Sequence, residues 1–137
     1  MSYELAYLDT NGEPTVLPFS KALAVNGELP TLAANRMSVV DELGWPTAML
    51  TLHYGPKHKK RIVKKDDAIY LLKCWPDCWR LYFYVRQDKR YFVYVHAVCK
   101  QQDEEDPADA EHARRIYDQR ARSAGLWPVQ YPAHKGI

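Results

Sequence analysis

Residues 79–100, WRLYFYVRQDKRYFVYVHAVCK, constrain the fold more than any other part of the chain. Successive side chains of a strand face opposite sides of the sheet, so strict alternation reveals which face each residue occupies. Trp79, Leu81, Phe83 and Val85 fall on one side, and Arg80, Tyr82, Tyr84 and Arg86 on the other. A polar turn around Gln87, Asp88 and Lys89 leads into a second alternating run, with Val93, Val95 and Ala97 on one side and Tyr94, His96 and Lys100 on the other. The pattern predicts a β-hairpin with one apolar face to cover a core. Its other face mixes cations, tyrosines and a histidine, which suits phosphate and unstacked bases.

A chain of 137 residues holds one domain with a genuine core and is short for two, so residues 1–137 are read as a single unit. Its 47% hydrophobic and 26% charged residues are those of a globular protein. No apolar run approaches the roughly 20 residues that span a bilayer, and the N-terminal MSYELAYLDTNGE lacks a basic segment followed by an apolar one. Three cysteines, an odd number, fit a reducing compartment better than a secreted disulfide framework. A cytoplasmic location without membrane association is therefore expected.

Residues 3–8 read as a first strand, closed by the turn sequence Asp9, Thr10, Asn11 and Gly12. Pro18 opens a short helix through Phe19, Ala22 and Leu23 that Gly27 stops. A second helix over residues 30–43 carries Leu32, Arg36, Val39, Val40 and Leu43 on one face before Gly44 and Pro46. From residue 53 to 65 the chain turns basic, with Lys57, Lys59, Lys60, Arg61, Lys64 and Lys65 uninterrupted by an acid. Such a run suits a solvated, mobile loop or an electrostatic arm for a polyanion. Residues 69–75 form a further strand with Lys73 as its one charge, and Pro76 and Asp77 turn it into the hairpin.

Asp106 as N-cap and Pro107 at the first helical position start a last helix through Ala110, Ala113, Ile116, Tyr117 and Ala121. Its acids cluster at the start and its arginines toward the end, a gradient that the helix dipole explains unaided. Gly125 ends it, and residues 125–137 read as an irregular tail. The sum is an α+β fold, an antiparallel sheet of three to four strands with two N-terminal helices and a C-terminal helix. Cys74, Cys78, His96 and Cys99 amount to four potential zinc ligands, yet on an ideal strand His96 and Cys99 face opposite sides. No metal and no cofactor are expected.

The order of elements and several short motifs resemble the RelE/ParE superfamily of bacterial toxins, and most of all its HigB-type branch with phage-derived members. Gly12, Glu13, Pro14, Thr15 and Val16 are similar to that branch's approach to its first helix, and Leu43 and Gly44 to the end of the second. Trp79, Arg80, Leu81, Tyr82 and Phe83 resemble its central aromatic-arginine strand. Val95, His96, Ala97, Val98, Cys99, Lys100 and Pro107 resemble the strand and proline-started helix that follow. The resemblance spans roughly residues 3–122.

It implies a RelE-like fold and a metal-independent endoribonuclease that cleaves messenger RNA in the ribosomal A site. Its partners would be the ribosome, the message and a small antitoxin of helix-turn-helix type. Such chemistry needs a base, an acid and cations around the phosphate. Arg80 is then the phosphate clamp, Lys100 and Lys73 add to its field, His96 transfers protons, and Tyr82 donates a hydroxyl or stacks a base. Tyr84 and Tyr94 would stack bases, while Lys57, Lys59, Lys60, Arg61, Lys64 and Lys65 attract the strand. Two other functions stand beside this one: a ParE-like poison of DNA gyrase, and a binding module that holds nucleic acid or a partner without cutting. If the last helix lies across the polar sheet face, most of the constellation becomes core.

Overall fold

A computed structural model of the chain describes residues 4–9, 62–73, 78–86, 88, 91–100, 107–121 and 125–128. Six strands form one sheet: β1 (Glu4–Asp9), β2 (Ile62–Lys64), β3 (Tyr70–Lys73), β4 (Trp79–Arg86), β5 (Tyr91–Cys99) and β6 (Gly125–Pro128). One helix, α1 (Pro107–Arg120), follows β5 among the described residues. Across the sheet the order is β2-β3-β4-β5-β1-β6.

The four strands β2 to β5 are an antiparallel meander, and the architecture is α+β. The sheet is larger than the alternation of the hairpin indicates. β1 pairs in parallel with β5, and β6 returns antiparallel beside β1. The strand at 125–128 replaces the expected irregular tail. Its terminal Pro128 donates no amide hydrogen and is tolerated because β6 lies at the sheet edge. The two expected N-terminal helices, the Asp106 cap, and Lys57, Lys59, Lys60 and Arg61 lie outside the described residues.

The basic stretch also corrects in part. Ile62, Val63 and Lys64 pair with Leu72, Leu71 and Tyr70, so the end of the supposed loop is a strand with Ile62 buried. Asp66 makes the turn that follows: its Oδ1 accepts the backbone N–H groups of Ala68 at 2.8 Å and Ile69 at 2.7 Å. An aspartate that mimics backbone in this way favours a turn over continued strand.

In the hairpin, β4 alternates as its sequence indicates, but β5 does not. Tyr84 pairs with Val93 and Phe83 with Tyr94, whereas Tyr82 pairs with His96, so Val95 is an extra residue at a bulge. Residues opposite one another share a face, so Tyr94 joins Phe83 on the apolar side and Val93 joins Tyr84 on the other. Phe83 is the centre of the apolar side, with its ring 5.7 Å from Tyr70, 5.7 Å from Phe92 and 5.5 Å from Tyr94.

The opposite side is covered by α1 through Ala113 and Ile116, with Ala110, Tyr117 and Ala121 packed beside them. These are the residues that helical spacing singles out. Arg114 adds polar ties, from Nη1 to Asp66 and Asp67 of the β2–β3 turn and from Nε to Asp118 at 3.0 Å, and its guanidinium lies over the Tyr117 ring. That pairing holds the Asp67 carboxyl below its ordinary range.

Cys78 and Cys99 form a disulfide with Cα atoms 4.8 Å apart. An odd cysteine count excludes complete pairing, not a single pair, and the hairpin carries Cys78, the residue before β4, next to Cys99 at the end of β5. The zinc quartet is thereby dissolved. No described helix is long and apolar enough to cross a membrane.

Replacing the ring at the centre of the apolar face, Phe83→Ala, is expected to cost about 3–5 kcal/mol in urea unfolding. A loss below about 1 kcal/mol would show that the cluster around it is loosely packed.

Candidate functional site

The site is built by register. Lys73 lies opposite Arg80, Arg80 opposite Val98, and Tyr82 opposite His96. All of them therefore project from one face, and Lys100, an even step beyond His96, returns to it. The candidates Lys73, Arg80, Tyr82, His96 and Lys100 are brought together, with Tyr84 further along the same side. Tyr94 is not: the Val95 bulge sends it to the apolar face, where it is buried, and it stacks no external base.

α1 crosses this face over Tyr84 and His96, and much of the constellation is core. Tyr84 is 3% exposed, its ring 4.9 Å from Tyr117 in an edge contact. Tyr82 is 1% exposed and lies 5.7 Å from the His96 ring, and Arg80 is 6% exposed. Base stacking on Tyr82 or Tyr84 and direct phosphate capture by Arg80 are closed in this conformation. Of the basic stretch, Lys64 is exposed and Lys65 half-buried.

The part that still meets solvent is the end where α1 begins. His96 Nε2 donates to Asp109 Oδ1 at 3.0 Å, since an ionised carboxylate only accepts. Lys100 Nζ approaches the other oxygen, Oδ2, at 3.3 Å. The three side chains are 14%, 16% and 29% exposed for His96, Asp109 and Lys100. The His112 ring stands edge-on to His96 at 4.8 Å. His96 Nδ1, the nitrogen left to accept a proton, is enclosed and has no hydrogen-bond partner among the described residues.

Burial pushes the Asp109 carboxyl up, but the hydrogen bonds and charges of His96 and Lys100 outweigh it and hold the group below its ordinary value of 3.8. An imidazole fixed by a carboxylate through one nitrogen is oriented for proton transfer at the other. Lys100 supplies positive charge beside it, so the cluster has the parts for acid–base work on an anionic substrate.

Asp109 and His112 escape a reading of the sequence because Asp109 belongs to an acid run that the helix dipole already accounts for. Their spacing of three on a helix, which sets both on one face, is the signal that finds them. Elsewhere, a groove of about 500 Å³ runs between the β2–β3 turn and α1, lined by Lys65, Asp66, Glu111, Arg114, Arg115 and Asp118. The His96 cluster does not line it, and Arg114 in its wall is committed to aspartates.

Two pH experiments follow from these environments. A depressed carboxyl stabilises the fold above its unfolded value and loses that contribution as pH falls through its folded value. Asp109→Asn is therefore expected to cost about 1–3 kcal/mol at pH 7 in chemical denaturation. The difference from wild type should shrink as pH drops below about 4. The Tyr84 hydroxyl is raised by burial to about 12 and has no hydrogen-bond partner among the described residues. Its stabilising neutral form persists below pH 10 and is lost through about pH 12, so Tyr84→Phe should match wild type within about 1 kcal/mol at pH 7 and outlast it in alkali.

Comparison of the chain with protein-family models, with curated proteins and with solved structures finds no match.

Proposed function

We propose that the chain is an RNA-cleaving toxin similar to the HigB-type branch of the RelE/ParE superfamily, with a RelE-like fold. It acts in the cytoplasm on messenger RNA in the ribosomal A site and is neutralised by a small helix-turn-helix antitoxin. The observation that carries this reading is the pairing of His96 with Asp109 beside Lys100, on the face that also bears Lys73, Arg80 and Tyr82. The resemblance of residues 79–83 and 95–107 to the family's strands gives that cluster its assignment to RNA.

In this reading the ribose 2′-oxygen attacks the neighbouring phosphorus as it gives up its proton, and the bond from phosphorus to the 5′-oxygen breaks. The products are a cyclic phosphate and a free 5′-hydroxyl. His96 transfers protons, Asp109 orients its ring, and Lys100 and Arg80 balance the charge that builds on the phosphate. Because His96 Nδ1 and Arg80 are enclosed, the reading requires this face to open when RNA binds.

Because that enclosure closes the atom that would transfer protons, a second reading stands beside the first, a binding module that holds nucleic acid or a partner protein without cutting. A ParE-like action on gyrase is the third, and it predicts lost supercoiling with protein synthesis intact.

Induced expression should arrest growth and produce codon-linked cuts detectable by primer extension on messenger RNA. His96→Gln should slow cleavage by about 10²–10⁴-fold, and Lys100→Met should also relieve the arrest. Undiminished toxicity in both variants, at equal expression and with native circular dichroism, contradicts the site. Arrest without cuts favours the binding module, or the gyrase target if supercoiling falls.

A further inference from the structure

The disulfide sits at an unusual place. β5 ends at Cys99 and β4 begins at Trp79, its register partner, so the Cys78–Cys99 bond closes the open end of the hairpin. Beyond it the described ladder holds one more bond, from the Lys100 N–H to the Cys78 carbonyl at 2.9 Å. Lys100 is also the residue whose amine reaches Asp109, and Asp109 holds His96. Lys100, the residue next to Cys99, thus joins the disulfide to the contacts that seat the start of α1.

Access completes the argument. Cys99 is exposed, while Cys78 is half-buried, so an incoming thiolate meets Cys99 first. Exposed disulfides are the more readily reduced ones.

We propose that Cys78–Cys99 is a thiol–disulfide exchange site for dithiol reductants, and that its oxidation state sets how firmly Lys100 and Asp109 hold the start of α1 on the sheet. A dithiol thiolate attacks the Cys99 sulfur, and the bond to Cys78 breaks. The Cys78 sulfur leaves with the electron pair and takes a proton. The reductant's second thiol then attacks the mixed disulfide, releasing Cys99 as a thiol and leaving the reductant as a cyclic disulfide. The protein gains two electrons and two protons, and the dithiol loses them. The proposal is independent of the function assigned above.

The full chain, purified without reductant, tests it with dithiothreitol as the probe. Alkylation under denaturing conditions and intact mass should count one free thiol before treatment and three after, since the chain has three cysteines. Hydrogen exchange followed by mass spectrometry should then show residues 96–100 and 107–113 exchanging about tenfold faster in the reduced chain, with residues 69–73 unchanged. Cys74→Ser should respond as wild type does, and the Cys78→Ser, Cys99→Ser double variant should behave as reduced in either buffer. Reduced wild type carries the readout itself, so the result does not depend on any variant folding. Three free thiols before treatment, a bond to Cys74, exchange unaltered by reduction, or loss of protection throughout the sheet would each overturn the proposal.

Discussion

One extra residue in β5 decides which side chains face the helix. Counted from the turn, Tyr84 opposite Val93 and Phe83 opposite Tyr94 set a register that, continued without interruption, would bring Val95 opposite Tyr82 and His96 opposite Leu81 on the apolar face. The bulge at Val95 resets the count. His96 arrives opposite Tyr82 instead, on the side where α1 lies, and Ala97 takes the place beside Leu81. A charged or polar ring among Leu72, Leu81 and Phe83 would be costly without partners, whereas under α1 it finds Asp109. The bulge is thus the condition for the polar cluster, and its effect on Tyr94 is the same shift seen from the turn end.

The helix is held by unlike forces along its length. Ala113 and Ile116 bury apolar surface in the middle, and their small or branched side chains let the helix approach Tyr84 and Val93 closely. Burial of this kind supplies most of the attachment. The ion pairs of Arg114 with exposed aspartates add little free energy and instead fix the rotation of the helix against the β2–β3 turn. At the N-terminal end the His96, Asp109 and Lys100 cluster is half-buried, so its contribution varies with protonation. The part of α1 over the His96 cluster is therefore the part that conditions can loosen.

The limits of the sequence are physical. β4 was legible because both its faces obey a period of two, and α1 because its alanines, Ile116 and Tyr117 recur at helical spacing behind Pro107. Lys73, Arg80, Tyr82, His96 and Lys100 were legible as a group for the same reason. The bulge was not, since one inserted residue leaves a run such as YFVYVHAVC looking evenly alternating. β6 escaped because its strand character comes from pairing with a distant β1, which local pattern does not encode. Ile62–Lys64 was masked by the lysines around it, and the disulfide by an odd cysteine count. The burial of Arg80, Tyr82 and Tyr84 is a tertiary fact: alternation names a face and says nothing of what covers it.

What the fold offers to function is a sheet face bearing Lys73, Arg80, His96 and Lys100, with His96 under the first turns of a helix. A histidine oriented by a carboxylate, with a lysine beside it, is the centre of the function proposed above and equally a joint that holds α1 down. Both roles rest on His96 facing the helix. A nuclear Overhauser spectrum of the aromatic side chains in the full chain tests that most directly. Cross-peaks from the His96 ring to His112 and Tyr82, with Tyr94 coupled to Phe83, are the predicted result. Cross-peaks from His96 to Leu81 with Tyr94 still coupled to Phe83, or from Tyr94 to Tyr84 with His96 still coupled to Tyr82, would each mean a hairpin without the bulge and would contradict the account.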